Sequence, residues 1–493
     1  MARTTLARVS APCAVPGPDD YPRTVPPRTP MAGADEERSG LMTIQRRRRF
    51  AALTGAGMCA AMVVTACGAP SEDSGLSEEE LDCATYEEFG DFTEEKPAVS
   101  IYTPITDAEG DAFEQAWAPF VECTGIQIQY EGSNDFEAQI EVRVTGGDAP
   151  DIAFFPQPGL MARYKDDMVP ASDALAERAA AGWSEDWLQY GTFDGTLYAQ
   201  PMSANLKSLV WYSPKLFKDN GYTVPETWDD LIKLSDTIAA DLAGTEGAKP
   251  WCAGIDSGEA TGWPVTDWVE DMMLREHGGD VYDQWVSHEL PFNDSKVADA
   301  VDKAGSILKN EDYMNGGYGD VGSMTGVSFE EGGLPILDGT CALHRQASFY
   351  SAQWPDGTEV GPEGDVFAFY LPGNTADDKP LLGGGEFVAA FREAEEVDAV
   401  RQYLASGLFA NARMKTGAWA SAHADADPAN AADPMMQLTV ELFHDEGAEF
   451  RFDASDLMPG HVGSDSFFDE MTQWINGKST GDALDAIEET WES

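Results

Sequence analysis

Between Val99 and Phe155 the apolar residues switch repeatedly between two periods, and that alternation narrows the chain to one kind of layer. Val99-Ser-Ile-Tyr-Thr103 reads as a strand. Phe113, Trp117 and Phe120 then fall at i, i+4 and i+7, the spacing of one helix face, and Thr124-Gly125 closes that helix. Pro119 predicts a kink near its end. Ile126 to Tyr130 alternates as a second strand. Phe136, Ile140 and Val144 make another helical stripe, ended by Gly146-Gly147, and Asp151-Ile-Ala-Phe-Phe155 is a third strand. Strand, helix, strand, helix, strand in so short a stretch builds a parallel α/β layer, whose ligands gather beyond the carboxyl ends of the strands.

The pattern recurs downstream. Leu209-Val-Trp-Tyr212 is apolar, and Pro225-Glu-Thr-Trp228 starts a helix through Leu231 and Leu234. Trp251-Cys-Ala-Gly-Ile255 and Cys341-Ala-Leu-His-Arg345 read as strands. Val366-Phe-Ala-Phe-Tyr-Leu-Pro372 leads to Leu381-Leu-Gly-Gly-Gly-Glu-Phe-Val-Ala-Ala390, and helices over Val397 to Leu404 and Asp465 to Ile475 close the chain.

Upstream, Arg46 to Arg49 precede the uncharged segment Phe50 to Val64, which ends in Val64-Thr-Ala-Cys67. A basic head, a short apolar core and a small-residue exit make an export signal, too short to span a membrane. The cysteine after Val-Thr-Ala resembles the lipobox of bacterial lipoproteins. That resemblance implies a diacylglycerol on the Cys67 thiol, cleavage before it and acylation of the new N-terminus, a firm hold on a bilayer. Met42 opens a conventional signal, so residues 1–41 read as an over-extended start. Arg47-Arg48-Arg49-Phe50 also fits the twin-arginine pattern, and both export routes stay open. Residues 1–66 are then discarded, and 67–96 are a lipid anchor with a Ser/Glu-rich flexible tether. The remainder is extracytoplasmic, anchored to the outer face of the cell membrane or in a periplasm.

From 493 residues, removal of the first 66 leaves 427, enough for two or three domains with real cores. The whole chain holds 31 Lys+Arg and 87 Asp+Glu. The discarded part carries nine basic and five acidic residues, leaving 22 against 82, a net charge of −60. Such a surface repels nucleic acid and anionic lipid heads, so neither is an expected partner. Cys83, Cys123, Cys252 and Cys341 remain as an even set in an oxidising compartment. No Cys-x-x-Cys or clustered His accompanies them, so disulfides are favoured over a metal, and neither a metal nor a cofactor is expected.

Several short motifs carry a wider resemblance. Thr124-Gly-Ile, Gly147-Asp-Ala-Pro-Asp-Ile152, Pro225-Glu-Thr-Trp-Asp229 and the Gly383-Gly-Gly385 turn resemble family 1 extracellular solute-binding proteins of ABC importers. Phe155-Pro-Gln-Pro-Gly159, Pro250-Trp-Cys-Ala-Gly-Ile255, Ala260-Thr-Gly-Trp-Pro264, His344-Arg-Gln-Ala347 and Phe452-Asp-Ala-Ser-Asp-Leu-Met-Pro459 are similar to the α-glucoside branch, related to maltose-binding proteins. The match spans residues 97 to 493. It implies the two-lobe α/β periplasmic-binding-protein (Venus-flytrap) fold, with a hinge of crossing strands and sugar held in the cleft. By that analogy lobe 1 is 97–204 with 383–425, and lobe 2 is 205–382 with 426–493. Of the three pairings open to four cysteines, Cys83–Cys123 with Cys252–Cys341 keeps each bridge within one lobe. The implied partners are an α-glucoside ligand and the permease subunits of an ABC importer.

A neutral sugar offers apolar C–H faces and a rim of hydroxyls, so its site needs flat aromatics and planar polar groups. The resemblance points to Trp263 as a stacking platform, with Phe349 and Phe468 beside it. Polar candidates lie on loops at strand ends: Thr106, Asp107, Asn134, Asp135, Gln157, Asn205, Glu259, Asp267, Arg345 and Gly385. Against them stand structural readings. Asp107, Asn134 and Asp135 suit helix capping, Arg345 suits an ion pair, and Asp453 and Asp456 suit an ordered turn. A secreted glycoside hydrolase is the enzymatic alternative, and a binder of peptides or other polar solutes is another. Carboxylate pairs carry no information in so acidic a chain, and no Gly-x-Ser-x-Gly, His-Glu-x-x-His or phosphate loop appears. A binder without catalysis is the expectation.

Overall fold

The computed structural model describes residues 82–491, organised by two five-stranded sheets and a three-stranded one. The export signal, Cys67 and the first part of the tether lie outside the described residues, as does the side chain of Asp107.

The first sheet runs, edge to edge, Gln127–Gly132, Ala98–Thr103, Ile152–Phe155, Phe387–Ala390 and Ala199–Pro201. Its first three strands are parallel, as their alternation with helices requires, and the last two pairings are antiparallel. Because side chains alternate across a strand, Val99, Ile101, Ile152 and Phe154 share a core with Phe113 and Phe120 of helix Asp107–Thr124. Tyr102, Ala153 and Phe155 pack on Phe136 and Ile140 of helix Phe136–Gly146. Helix Asp107–Thr124 runs through Pro119, since its buried face on both sides outweighs the lost backbone hydrogen bond.

The second sheet runs Met314–Asn315, Lys249–Cys252, Cys341–Arg345, Leu209–Tyr212 and Phe367–Tyr370, its first three strands parallel. Val210, Trp251 and Leu343 are buried with Val265, Trp268 and Met272 of helix Trp263–His277. The small third sheet joins the other two. Asn205–Leu206 carries the chain from the first sheet to the second, and Pro380–Gly384 carries it back. Glu449–Phe452 pairs parallel to the latter.

Local boundaries shift from the expectations where a second signal competes. The strand beginning near Trp251 ends at Cys252. Pro225 to Thr227 precede their helix, whose N-cap is Thr227, accepting the Asp230 N–H. The apolar run Leu381 to Ala390 divides between two sheets. The last long stripe begins with a wide turn, His461–Phe467, before helix Phe468–Ile475. The disulfides are Cys83–Cys123 and Cys252–Cys341, the favoured pairing. Among the described residues no helix is long and apolar enough to cross a membrane.

Candidate binding site

Trp263 opens helix Trp263–His277. The Gly262 before it has φ +114°, and a Cβ there would lie 2.2 Å from the Phe468 carbonyl oxygen, so the loop closes only on glycine. The indole is half-buried. Its ring lies 5.2 Å from Phe329 and 6.0 Å from Phe349, both half-buried, giving three aromatics at one loop end.

The inner face of the same helix is charged. Asp267, Glu270 and Asp271, at i, i+3 and i+4, are all fully buried. Lys207, just after the crossing strand Asn205–Leu206, donates to Asp267 Oδ1 (3.1 Å), pairs with Asp453 and lies 3.9 Å from Asp456. Arg345 donates to Asp267 Oδ2 (2.8 Å) and Asp271 Oδ2 (2.5 Å), and Arg275 donates to Asp271 Oδ1 (2.5 Å). Glu270 accepts the N–H groups of Ala454 (3.0 Å) and Ser455 (3.2 Å) at the start of the short helix Ala454–Leu457. Burial opposes the charge of Lys207, but Asp267, Asp453 and Asp456 outweigh it and raise its pKa. Burial likewise pushes Asp453 up, yet Lys207 and several hydrogen bonds hold it at about 2. Oxygens of Asp267, Glu270 and Asp453 lie within 4.8 Å of one another, as for a cation. The Lys207 ammonium fills that role, touching two of the three.

Facing this from the first sheet is Gln157, which follows strand Ile152–Phe155. Its Nε2 donates to Glu137 Oε1 (3.2 Å), and among the described residues its buried Oε1 has no donor. Burial raises the Glu137 carboxyl's pKa, with Glu259 and Asp135 adding to it. Burial and Asp453 push Asp456 well up, and Glu137 contributes. The two sides meet closely. A Cβ on Gly159 would lie 2.0 Å from the Met458 carbonyl oxygen, so two of the sequence motifs dock backbone to backbone.

The remaining candidates fall into place around this centre. Thr106 donates to Asn134 Oδ1 (3.4 Å), and both line an open recess with Tyr130, Ser133 and Asp111. Asp135 occupies the N-cap position of helix Phe136–Gly146, but its carboxylate makes no capping hydrogen bond. Asn205 is half-buried opposite Gly384, and Glu259 is exposed. Gly385 is buried against the Ser203 carbonyl. Phe468 is 4 % exposed, with its backbone against the Trp263 loop. Asp267 and Arg345 are brought together as the buried ion pair described. Sequence reasoning missed Phe329, Glu137 and Lys207. Lys207 had a signal: a cation two residues before the apolar run Leu209 to Tyr212, in a chain with few cations. Phe329 and Glu137 had none.

Comparison with known proteins agrees with this architecture. The model for bacterial extracellular solute-binding protein matches residues 104–410. The osmoprotective compounds-binding protein GgtB of Synechocystis sp. is 37% identical over 404 residues, covering 81% of this chain and 93% of that protein. The alpha-glucosides-binding periplasmic protein AglE of Rhizobium meliloti is 34% identical over 439 residues, covering 86% and 92%. Among solved structures, the bacterial solute receptor AcbH matches with a TM-score of 0.68 at 15% identity, over 80% of this chain and 99% of that one. Maltose-bound T. maritima MalE3 matches with a TM-score of 0.62, also at 15% identity, over 80% and 99%. That likeness is one of fold, and it is the two-lobe α/β fold. The chain belongs to the bacterial extracellular solute-binding protein family, whose members bind solutes and are not enzymes.

Proposed function

We propose that this protein is the substrate-binding lipoprotein of an ABC importer, and that it captures an α-glucoside, a di- or oligosaccharide, between two lobes. Lobe 1 is residues 97–204 with 383–425, and lobe 2 is 205–382 with 426–493. The observation that carries the reading is the half-buried Trp263 ring, flanked by Phe329 and Phe349, with the free acceptor Gln157 Oε1 supplied from the first sheet. A sugar's C–H face stacks on such a ring while its hydroxyls seek acceptors. Thr106, Asp107, Asn134, Asp135 and Gln157 reach the ligand from lobe 1, Asn205 and Gly385 from the crossing strands, and Glu259 from lobe 2. Phe349 and Phe468 steady the platform, and Asp267 and Arg345 hold the helix behind it. Each half-site is insufficient alone, so ligand favours the closed state by its contacts there. The closed lobes deliver the sugar to the permease, while acyl chains on Cys67 hold the protein at the membrane.

The likeness to AglE supports an α-glucoside. The likeness to GgtB favours a second reading, an osmoprotective compound, on the same scaffold. Calorimetric titration with sucrose, maltose, trehalose and maltodextrins, beside a peptide control, tests the assignment. Binding of one of the sugars without release of glucose is the expected result. Peptide binding alone, or steady hydrolysis abolished by one carboxylate substitution, would overturn it.

A further inference from the structure

Glu386 stands where the chain leaves the crossing strand Pro380–Gly384 and enters the first sheet at Phe387–Ala390. The residue is 9 % exposed. Its backbone is well held: the N–H donates to Ser203 Oγ (2.9 Å), and the carbonyl accepts from the Met202 N–H (2.9 Å). Its carboxyl is not. Among the described residues no other residue donates a hydrogen bond to it, and it forms no ion pair.

The charged and titratable groups that face it come from four elements. Glu109 lies on helix Asp107–Thr124, Arg413 on helix Gly407–Met414, Tyr130 on strand Gln127–Gly132, and Lys207 follows the crossing strand. Neither cation donates a hydrogen bond to it. Lys207 is held by Asp267 and Asp453. Arg413 donates Nη1 to Thr416 Oγ1 (3.3 Å) and Nη2 to the Glu109 carbonyl (3.4 Å), with its guanidinium 4.6 Å from the Phe113 ring centre. A carboxyl on a largely buried residue, left without a donor from the surrounding side chains, is of the kind found where a ligand supplies one. Burial, and then Glu109, raise its pKa to about 8 against the pull of Arg413 and Lys207.

We propose that Glu386 is a ligand-binding residue: its carboxyl, buried beside the crossing strands with no donor from another residue, accepts hydroxyl groups of the bound neutral sugar. This rests on the α-glucoside reading above. Hydroxyl donors favour the carboxylate over the acid, so binding sends the Glu386 proton to solvent. The same geometry rejects uronic or phosphorylated sugars, whose negative charge would meet Glu109 and Glu386 together.

The test is calorimetry on the purified full chain with maltose, sucrose and trehalose as probes, in two buffers of different ionisation enthalpy. For the wild type we expect release of about one proton per bound sugar at pH 7, less at pH 9, and tighter binding at the higher pH. Glu386→Gln should bind at least about tenfold more weakly and release no proton. A Glu386→Gln protein that binds within about threefold of wild type with the same proton release overturns the proposal. If that variant fails to fold, Glu386→Asp takes its place: weaker binding with proton release retained is expected, binding equal to wild type overturns the proposal, and a wild type that releases no proton refutes it. A wild type that binds none of the sugars overturns the α-glucoside reading itself, and the proposal with it.

Discussion

The Nζ of Lys207 lies 5.6 Å from the centre of the Trp263 ring while donating to Asp267 at 3.1 Å. One side chain from the crossing segment thus lies against the Trp263 ring and anchors the helix that presents it. The aromatic surface and the buried charges are parts of one construction, and Lys207 is their junction.

Lys207→Met should leave Asp267 and Asp453 buried without their shared counter-charge. Breaking a buried pair by removing one partner costs about 3–5 kcal/mol. Urea unfolding should show that loss, and adding Asp453→Asn should recover part of it. A change below about 1 kcal/mol would place the network's stabilising weight elsewhere.

Trp263→Ala removes a flat contact worth a few kcal/mol, so affinity for the sugar should fall roughly a hundredfold. The ring is half-buried, and the protein should keep its fold. Small-angle scattering should show compaction with sugar in wild type and little in the variant. Normal binding, or a collapse of the melting transition, would move Trp263 from the site to the core.

Glu386 also predicts a pH dependence of stability. Its folded pKa of about 8 lies above that of a free glutamate, so its contribution is fully present at low pH. That contribution is lost as pH rises from about 4.5 through 8, by up to about 1.4 kcal/mol per unit. Without ligand, Glu386→Gln should therefore melt above wild type at pH 8–9, with the gap closing at pH 5. Parallel melting curves across that range would contradict the assignment.

Cys252 and Cys341 join neighbouring strands of the second sheet. Replacing both with serine should cost about 2–5 kcal/mol. Non-reducing peptide mapping should recover Cys83–Cys123 and Cys252–Cys341 as linked pairs; free thiols there would refute the pairing in the exported protein.

Cys67→Ala should release the protein from membranes, because the acyl chains are its expected anchor. Fractionation and intact mass check this. A variant that still sediments, or an unmodified Cys67 in the wild type, would rule out lipidation.

What the sequence makes legible follows from how each element buries its side chains. The three parallel strands between Ala98 and Phe155 and their two helices alternate cleanly, and their periods show in the residue order. The crossing strands do not. Asn205–Leu206 is too short to have a period, and Pro380–Gly384 ends in glycines that read as a turn. The buried charges are hidden for a different reason. Asp267, Glu270 and Asp271 look like the solvated face of a helix until Lys207, Arg345 and Arg275 arrive from remote segments. Trp263 is visible through its motif and Phe349 through the family resemblance, whereas Phe329 joins them only in space.

The placement of Phe387–Ala390 between Ile152–Phe155 and Ala199–Pro201 has a consequence for how the protein is made. Two strands that are close in sequence cannot touch; they wait for one that is translated much later. A chain emerging N-terminus first therefore holds an unfinished sheet, with two open edges, until most of it has been synthesised. Such long-range pairing is slow. It predicts that a chain truncated before residue 387 would aggregate instead of yielding a smaller folded lobe.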